Sequence, residues 1–280
     1  MQGRIIKLIS NDYTVEANQE HYICKSRGKF RNLHVTPLVG DYVEFDEKNR
    51  YILEILPRKN ELVRPPVSNI DQAFLITSVK QPDFSTNLLD KLLTIIEFHK
   101  IRPILCFTKM DLLTDSEKQE IEQYISYYRK IGYSVYCNTE LEKLKELFKD
   151  KTSVFTGQSG AGKSTLLNHL DGSLHIKTDE ISYALGRGKH TTRHVELLYL
   201  YGGYVADTPG FSAIEFLDMK KEDIRDQFVE FNQYRDDCEF KDCMHLSENN
   251  CAIKEKLQQH EILESRYENY VNFVTKKERL

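Results

Sequence analysis

Gly157-Gln158-Ser159-Gly160-Ala161-Gly162-Lys163-Ser164 reads GxxxxGK[ST] and runs on into Thr165. An apolar run from Ser153 to Thr156 precedes it and Leu166-Leu167 follows, so the loop falls between a predicted strand and a predicted helix. In that setting the glycines let backbone N–H groups wrap phosphates at a helix N-terminus. Lys163 reaches the β and γ phosphates, and the Ser164 hydroxyl ligates Mg²⁺. The segment from Gly157 to Thr165 is expected to bind a nucleoside triphosphate, without choosing between ATP and GTP.

The choice of base comes from elsewhere. Thr108-Lys109-Met110-Asp111 directly follows the apolar run Pro103 to Phe107 and is similar to the [NT]KxD motif of translation-factor-like GTPases. There the Asp carboxylate accepts from guanine N1–H and the 2-amino group, and a buried acceptor left unpaired by adenine rejects it. Asp111 is thus expected to select guanine, with the Lys109 stem across the base. Thr108 stands where Asn is commoner. Asp207-Thr208-Pro209-Gly210 follows Tyr204 to Ala206 and resembles DxxG, whose Asp holds Mg²⁺ and whose Gly N–H meets the γ-phosphate. Between the two phosphate motifs lies the polar stretch Gly186 to His194, suited to a switch loop. Either Thr191 or Thr192 is expected to reach Mg²⁺. Tyr136 to Thr139 occupies the place of the loop that supports guanine O6, which makes Cys137 and Asn138 candidates for that contact.

A second chemistry is written in Cys238, Cys243, His245 and Cys251, spaced C-x4-C-x-H-x5-C. Three thiols and one imidazole form a closed tetrahedral set for one structural Zn²⁺, with no open position for catalysis. Such an ion supplies folding energy where apolar residues are few. Cys24 and Cys106 lie in strand-like runs and are expected to be core thiols.

Positioning these groups takes several elements. The 280 residues are 40% hydrophobic and 29% charged, the balance of a folded protein of more than one domain. The net charge of −4 excludes a nucleic-acid binder that works by global basicity. The absence of a long apolar run or an apolar leader predicts a cytoplasmic protein with no membrane contact, and nothing predicts an obligate oligomer. Residues 1–64 alternate short β-like runs with turns, as a small β-barrel does. Within them Lys25, Arg27, Lys29 and Arg31 recur at every second position, which on a strand would place them on one face, with Phe30 and His34 nearby to stack on bases. From Gln72 apolar strands alternate with amphipathic helices (88–100, 116–130, 141–149, 163–170), the rhythm of a parallel sheet covered on both faces. Beyond Met219 the chain reads as mostly helical and closes with a charged helix from about Ile253. The expected domains are 1–64, an OB-fold-like RNA-binding barrel; 65–215, an α/β P-loop domain; and 216–280, a helical zinc-binding domain.

The motif order is unusual, because the base motif precedes the P-loop and the DxxG segment comes last. A circularly permuted GTPase domain between a β-rich N-terminal domain and a C-terminal Cys/His cluster resembles the bacterial small-ribosomal-subunit-dependent GTPase family, RsgA. Gln158 to Ser164, Lys189-His190-Thr191-Thr192 and Asp207 to Phe211 carry the likeness, which spans nearly the whole chain. The resemblance implies an OB-fold, a permuted GTPase core and a zinc domain. It also implies GTP hydrolysis in late maturation of the small ribosomal subunit, with 16S rRNA as partner. GDP and guanosine polyphosphates would be further ligands. Phe211 stands where many GTPases carry the Gln that orients water, so intrinsic turnover is expected to be slow and His190 becomes the candidate catalytic group. The missing Gln also leaves open a guanine-nucleotide sensor with little turnover. Gly160 replaces the Asn of potassium-activated GTPases.

Overall fold

Alternation of apolar and polar side chains, broken where Ile5 and Ile6 are buried in succession, builds the first layer of the protein. The structure, a computed structural model, describes residues 1–28, 30, 35–63, 66–172, 194–207, 216 and 219–277. These fall into two units, Met1–Phe74 with Asn138–Ser212 and Leu75–Cys137 with Ala213–Leu280.

In the first unit β1 (Gln2–Ile9), β2 (Asp12–Ala17), β3 (Glu20–Ser26), β4 (Tyr42–Asp46) and β5 (Tyr51–Ile55) follow one another in the order β1-β2-β3-β5-β4, and β4 returns to β1. This is a closed five-strand barrel, as the alternation predicts. Tyr13, Val15, Val43, Phe45 and Ile52 fill it. Gly3 is required where β1 crosses β2, because a Cβ there would lie 2.6 Å from Val15 Cγ1 and 2.7 Å from the Glu16 carbonyl oxygen. Two short strands, β6 (Glu61–Leu62) and β7 (Val67–Ser68), follow the barrel. They are tied back to it through Asp41, whose carboxylate takes both Arg58 (2.8 Å) and the Ser68 hydroxyl (2.6 Å).

β1 does double duty. Its start, Gln2–Arg4, pairs with β4, whereas Lys7–Ile9 pair with residues 194–196 of β12 (His194–Leu200). β12 forms an antiparallel hairpin with β13 (Gly203–Asp207), and β13 runs parallel to β11 (Thr152–Gly157). The barrel and the nucleotide-type sheet are therefore continuous within this unit, and the sheet is mixed rather than purely parallel. Arg4 stitches the junction. Its guanidinium lies 5.2 Å from the Tyr42 ring centre and 5.1 Å from that of Tyr204, and it donates to Thr152 Oγ1 at 2.7 Å. Such cation–π contacts each contribute about 0.5–2 kcal/mol.

β8 (Gln72–Ser78) runs from the first unit into the second, where β9 (Arg102–Thr108) and β10 (Ser134–Cys137) pair in parallel. Ser85 caps α1 (Thr86–Phe98). Thr114 and Glu117 form a capping box on α2 (Asp115–Lys130). In the first unit α3 (Leu141–Glu146) precedes β11, and α4 (Lys163–Leu170) follows it. The C-terminal part holds α5 (Lys221–Asp226), α6 (Ala252–Gln258) and α7 (Glu264–Lys277). The single closing helix expected from Ile253 is thus two helices. The first ends where His260 turns left-handed at φ 57°, a conformation that stops a helix.

Phe228, Phe231, Ile253, Tyr270 and Phe273 form one core with Ile95 of α1. At its edge sits Arg266, fully buried. Its guanidinium donates to Asp90 Oδ1 at 2.8 Å and, in a fork, to both Glu230 oxygens at 2.7 Å. The Tyr128 hydroxyl (2.6 Å) and the Asn269 amide (2.7 Å) donate to Asp90 as well. Burial pushes the Asp90 carboxyl above its usual range against the pull of Arg266. Removing one partner of such a set strands a buried charge. Arg266→Met is therefore expected to cost about 3–5 kcal/mol, read as a lowered denaturant midpoint at unchanged slope. A loss no larger than that of a surface substitution would show that the network carries little of the fold.

Candidate nucleotide and metal sites

Adjacent parallel strands β11 and β13 end side by side, and at that edge of an α/β sheet loops can gather a ligand. The expected phosphate loop begins at the end of β11 and runs into α4. Its glycines take the backbone where side chains cannot follow, with Gly157 at φ 142°, Gly160 at 75° and Gly162 at 91°. Gln158, Ser159 and Gly160 are exposed, Ala161 is buried, and Thr165 is exposed on the first turn of α4. Lys163 folds back over the loop. Its ammonium donates to the carbonyls of Gly157 (2.7 Å) and Gln158 (2.8 Å), and burial pushes it down to about 8. The Ser164 hydroxyl is buried and has no hydrogen-bond partner among the described residues. A hydroxyl left in that state at a helix start fits a missing cation ligand, so the residues present suit a Mg²⁺-bound triphosphate. The register of β13 with β11, Val154 opposite Ala206, brings the backbone of Asp207 to within two residues of the start of this loop.

In the second unit β9 ends in buried Thr108. Lys109 then turns left-handed at φ 63°, and Met110–Leu112 form a 3₁₀ turn that leaves Asp111 exposed. Thr108 O accepts from the Val79 N–H at 3.2 Å, and the Lys109 ammonium donates to the Gln81 carbonyl. The loop is thus braced from 79–81, a support no motif announced. Lys80 adds to it, because its ammonium, 2.9 Å from Glu117, together with the Thr114 amide and hydroxyl holds that carboxyl down to about 2. Cys137 ends β10 opposite Phe107 of β9. The segment expected to support guanine O6 and the Thr108–Asp111 motif therefore start from neighbouring strand ends, with Asn138 next in the chain.

Cys238, Cys243, His245 and Cys251 come together with all ligand atoms within 4.8 Å of one another. Tetrahedral Zn–S and Zn–N bonds give ligand–ligand edges of about 3.6–3.8 Å. The His245 Nδ1 distances to Cys251 Sγ (3.4 Å) and Cys238 Sγ (3.7 Å) lie close to that. Burial first, then Arg225, lowers His245 to about 4, while burial and the neighbouring thiols push Cys243 up to about 12. A neutral imidazole is already the form that ligates. A bound cation would draw the crowded thiols into their thiolate form.

The basic stretch is arranged differently from the expectation. β3 ends at Ser26, so Lys25 lies in the strand and Arg27 beyond it, both exposed. Phe30 is buried at 5% exposure and cannot stack on a base. Lys29, Arg31 and His34 lie outside the described residues, as do His190, Thr191, Thr192, Gly210 and Phe211. Cys24 and Cys106 are fully buried, as core thiols should be.

Comparison with known proteins agrees with this arrangement along the chain. The family model described as RsgA GTPase matches residues 55–217, and that described as RsgA N-terminal domain matches residues 2–51. A relative from Oceanobacillus iheyensis, named small ribosomal subunit biogenesis GTPase RsgA 2, is 50% identical over 281 residues, covering 98% of this chain and 96% of its own. The crystal structure of YloQ, described as a circularly permuted GTPase, superposes with a TM-score of 0.83 at 42% identity, covering 100% of this chain and 96% of that one. YjeQ from Thermotoga maritima gives a TM-score of 0.85 at 36% identity over 98% and 97% of the two chains. With the base motif on β9 ahead of the phosphate loop after β11, and both family models matched in sequence order, the chain belongs to the RsgA family of circularly permuted GTPases.

Proposed function

We propose that this GTPase acts late in maturation of the small ribosomal subunit and that the subunit stimulates its hydrolysis of GTP. The observation that carries the nucleotide chemistry is the phosphate loop, with Lys163 folded onto it and the Ser164 hydroxyl buried without a partner. The names borne by the relatives support the ribosomal assignment. Asp111 would select guanine through its paired acceptors, with Thr108, Lys109 and Met110 shaping that loop and Cys137 and Asn138 supporting O6. Gly157 to Thr165 and the Gly210 N–H would grip the phosphates. Bound Mg²⁺ supplies charge neutralisation across the β and γ phosphates, and Ser164, Asp207 and either Thr191 or Thr192 would hold it. GDP and guanosine polyphosphates would occupy the same loops.

Residues 1–64 serve as the rRNA-binding part, 65–215 as the GTPase and 216–280 as a part built on one structural Zn²⁺ held by Cys238, Cys243, His245 and Cys251. The protein works as a cytoplasmic monomer. No described helix is long and apolar enough to cross a membrane. Because Phe211 cannot orient water, His190 is assigned to position or deprotonate it once the subunit is bound.

Turnover measured with and without small subunits, against ATP and large-subunit controls, tests this directly. Stimulation specific to GTP and the small subunit is expected, and His190→Ala should lower the stimulated rate by about 100-fold or more. GTP turnover indifferent to small subunits would overturn the assignment, and an undiminished His190→Ala rate would remove His190 alone. For the RNA contact, Ala at Lys25, Arg27, Lys29 and Arg31 together should weaken subunit binding. The log–log salt slope should drop by about 3, the release expected for four phosphate contacts. An unchanged slope would place the contact elsewhere.

Lys163 gives an independent check. Its ammonium is lowered to about 8 in the free protein, and a triphosphate favours the charged form, so binding raises it again. Nucleotide binding at about pH 8.5 should take up a substantial fraction of a proton, and at about pH 6.5 almost none. Calorimetry in buffers of different ionisation heat reads this, with Lys163→Met abolishing the uptake.

A further inference from the structure

His245 is the one ligand of the metal cluster that needs an unusual backbone. It sits left-handed at φ 57°, a strain of about 1–2 kcal/mol for a residue with a Cβ. Nδ1 faces the thiols, so with a cation on Nδ1 the ring proton would sit on Nε2. A metal-bound histidine usually gives that second N–H to a carboxylate or carbonyl, which fixes the ring. Here Nε2 is buried with no hydrogen-bond partner among the described residues, and the His245 ring stands edge to face with the Phe231 ring, their centroids 5.7 Å apart at 84°.

A carboxylate is nonetheless present, and it grips the chain instead of the ring. Glu248 Oε1 accepts from the Met244 N–H at 2.7 Å and Oε2 from the Leu246 N–H at 2.8 Å, the amides on either side of His245. Two hydroxyls of α7 hold the facing carbonyls, Tyr267 on His245 O at 2.7 Å and Tyr270 on Met244 O. The Arg225 guanidinium donates to Cys243 O at 3.3 Å. Charge-assisted bonds to backbone amides are the strongest of these.

We propose that Glu248 is the positioning residue of the metal centre. By clamping both flanking amides it holds His245 in its left-handed conformation, with Nδ1 already turned to the cation. It thereby performs through the backbone what an outer carboxylate elsewhere performs through the ring. This rests on the reading that the cluster holds Zn²⁺.

Zinc content and affinity of the full chain, measured by competition with a chromophoric chelator, test the idea. Glu248→Gln keeps the size but leaves one acceptor for two amides. It is expected to weaken zinc binding by about 10- to 100-fold, with the visible bands of the Co²⁺-loaded protein shifted as the nitrogen ligand loosens. Tyr267→Phe should act in the same direction and less. Phe273→Leu loosens the same helical core but removes none of the hydrogen bonds around His245, and should keep the parent's affinity and spectrum. Parental zinc affinity and Co²⁺ bands in Glu248→Gln would overturn the assignment, as would equal weakening by Phe273→Leu at a matched loss of thermal stability. A parent chain that takes up no zinc would overturn the metal reading itself, and this inference with it.

Discussion

A guanidinium taken out of water must find acceptors for its planar set of N–H groups, and the helices of the second unit are arranged around that demand at Arg266. Two carboxylates face one cation there. The Tyr128 and Asn269 donors take up the Asp90 oxygen lone pairs that Arg266 cannot reach. Desolvation is severe enough that only good geometry makes such a cluster tolerable. It therefore fixes how α1, α2, the turn at Glu230 and α7 meet. The Cys/His segment inherits its position from the same set, because α7 carries both Arg266 and the hydroxyls that hold the loop around His245.

The first unit is organised by pairing rather than by charge. β13 brings Asp207 to the edge where the phosphate loop starts, and β12 begins at His194, just past the stretch that carries Thr191 and Thr192. β12 and β13 are thus one hairpin, and its outer strand is bonded to β1. The Lys7–Glu196 pair at 2.9 Å and the Arg4 contact with Tyr204 reinforce the junction.

What could be read in advance follows from how local each signal is. The phosphate loop, the Thr108–Asp111 turn and the Cys/His spacing are each confined to a few residues whose chemistry is explicit, and the first two fall at the strand ends that periodicity predicts. The barrel was legible because the buried positions of β2 and β4 alternate without a slip. The basic stretch misled for a physical reason, since alternation of Lys and Arg says nothing about where a strand stops, and Ser26 ends β3 while Phe30 turns into the core. The Arg266 cluster could not be foreseen at all. Its partners are separated by 36 and 176 residues, and a lone Arg in a helix reads as a solvated surface group. Glu248 was hidden in the same way, because a carboxylate that binds amides resembles any loop acid until the backbone is seen.

The divided loyalty of β1 bears on how the chain is made. Its first residues can close the barrel once β4 and β5 have left the ribosome that synthesises them, whereas Lys7–Ile9 must wait for residues 194–196. For most of synthesis the far half of β1 is an open strand edge, the kind of surface that invites pairing with another chain. Lys7 gives that edge a charge, the kind of side chain that discourages pairing with another chain, and in the finished sheet the same residue is paired with Glu196 at 2.9 Å.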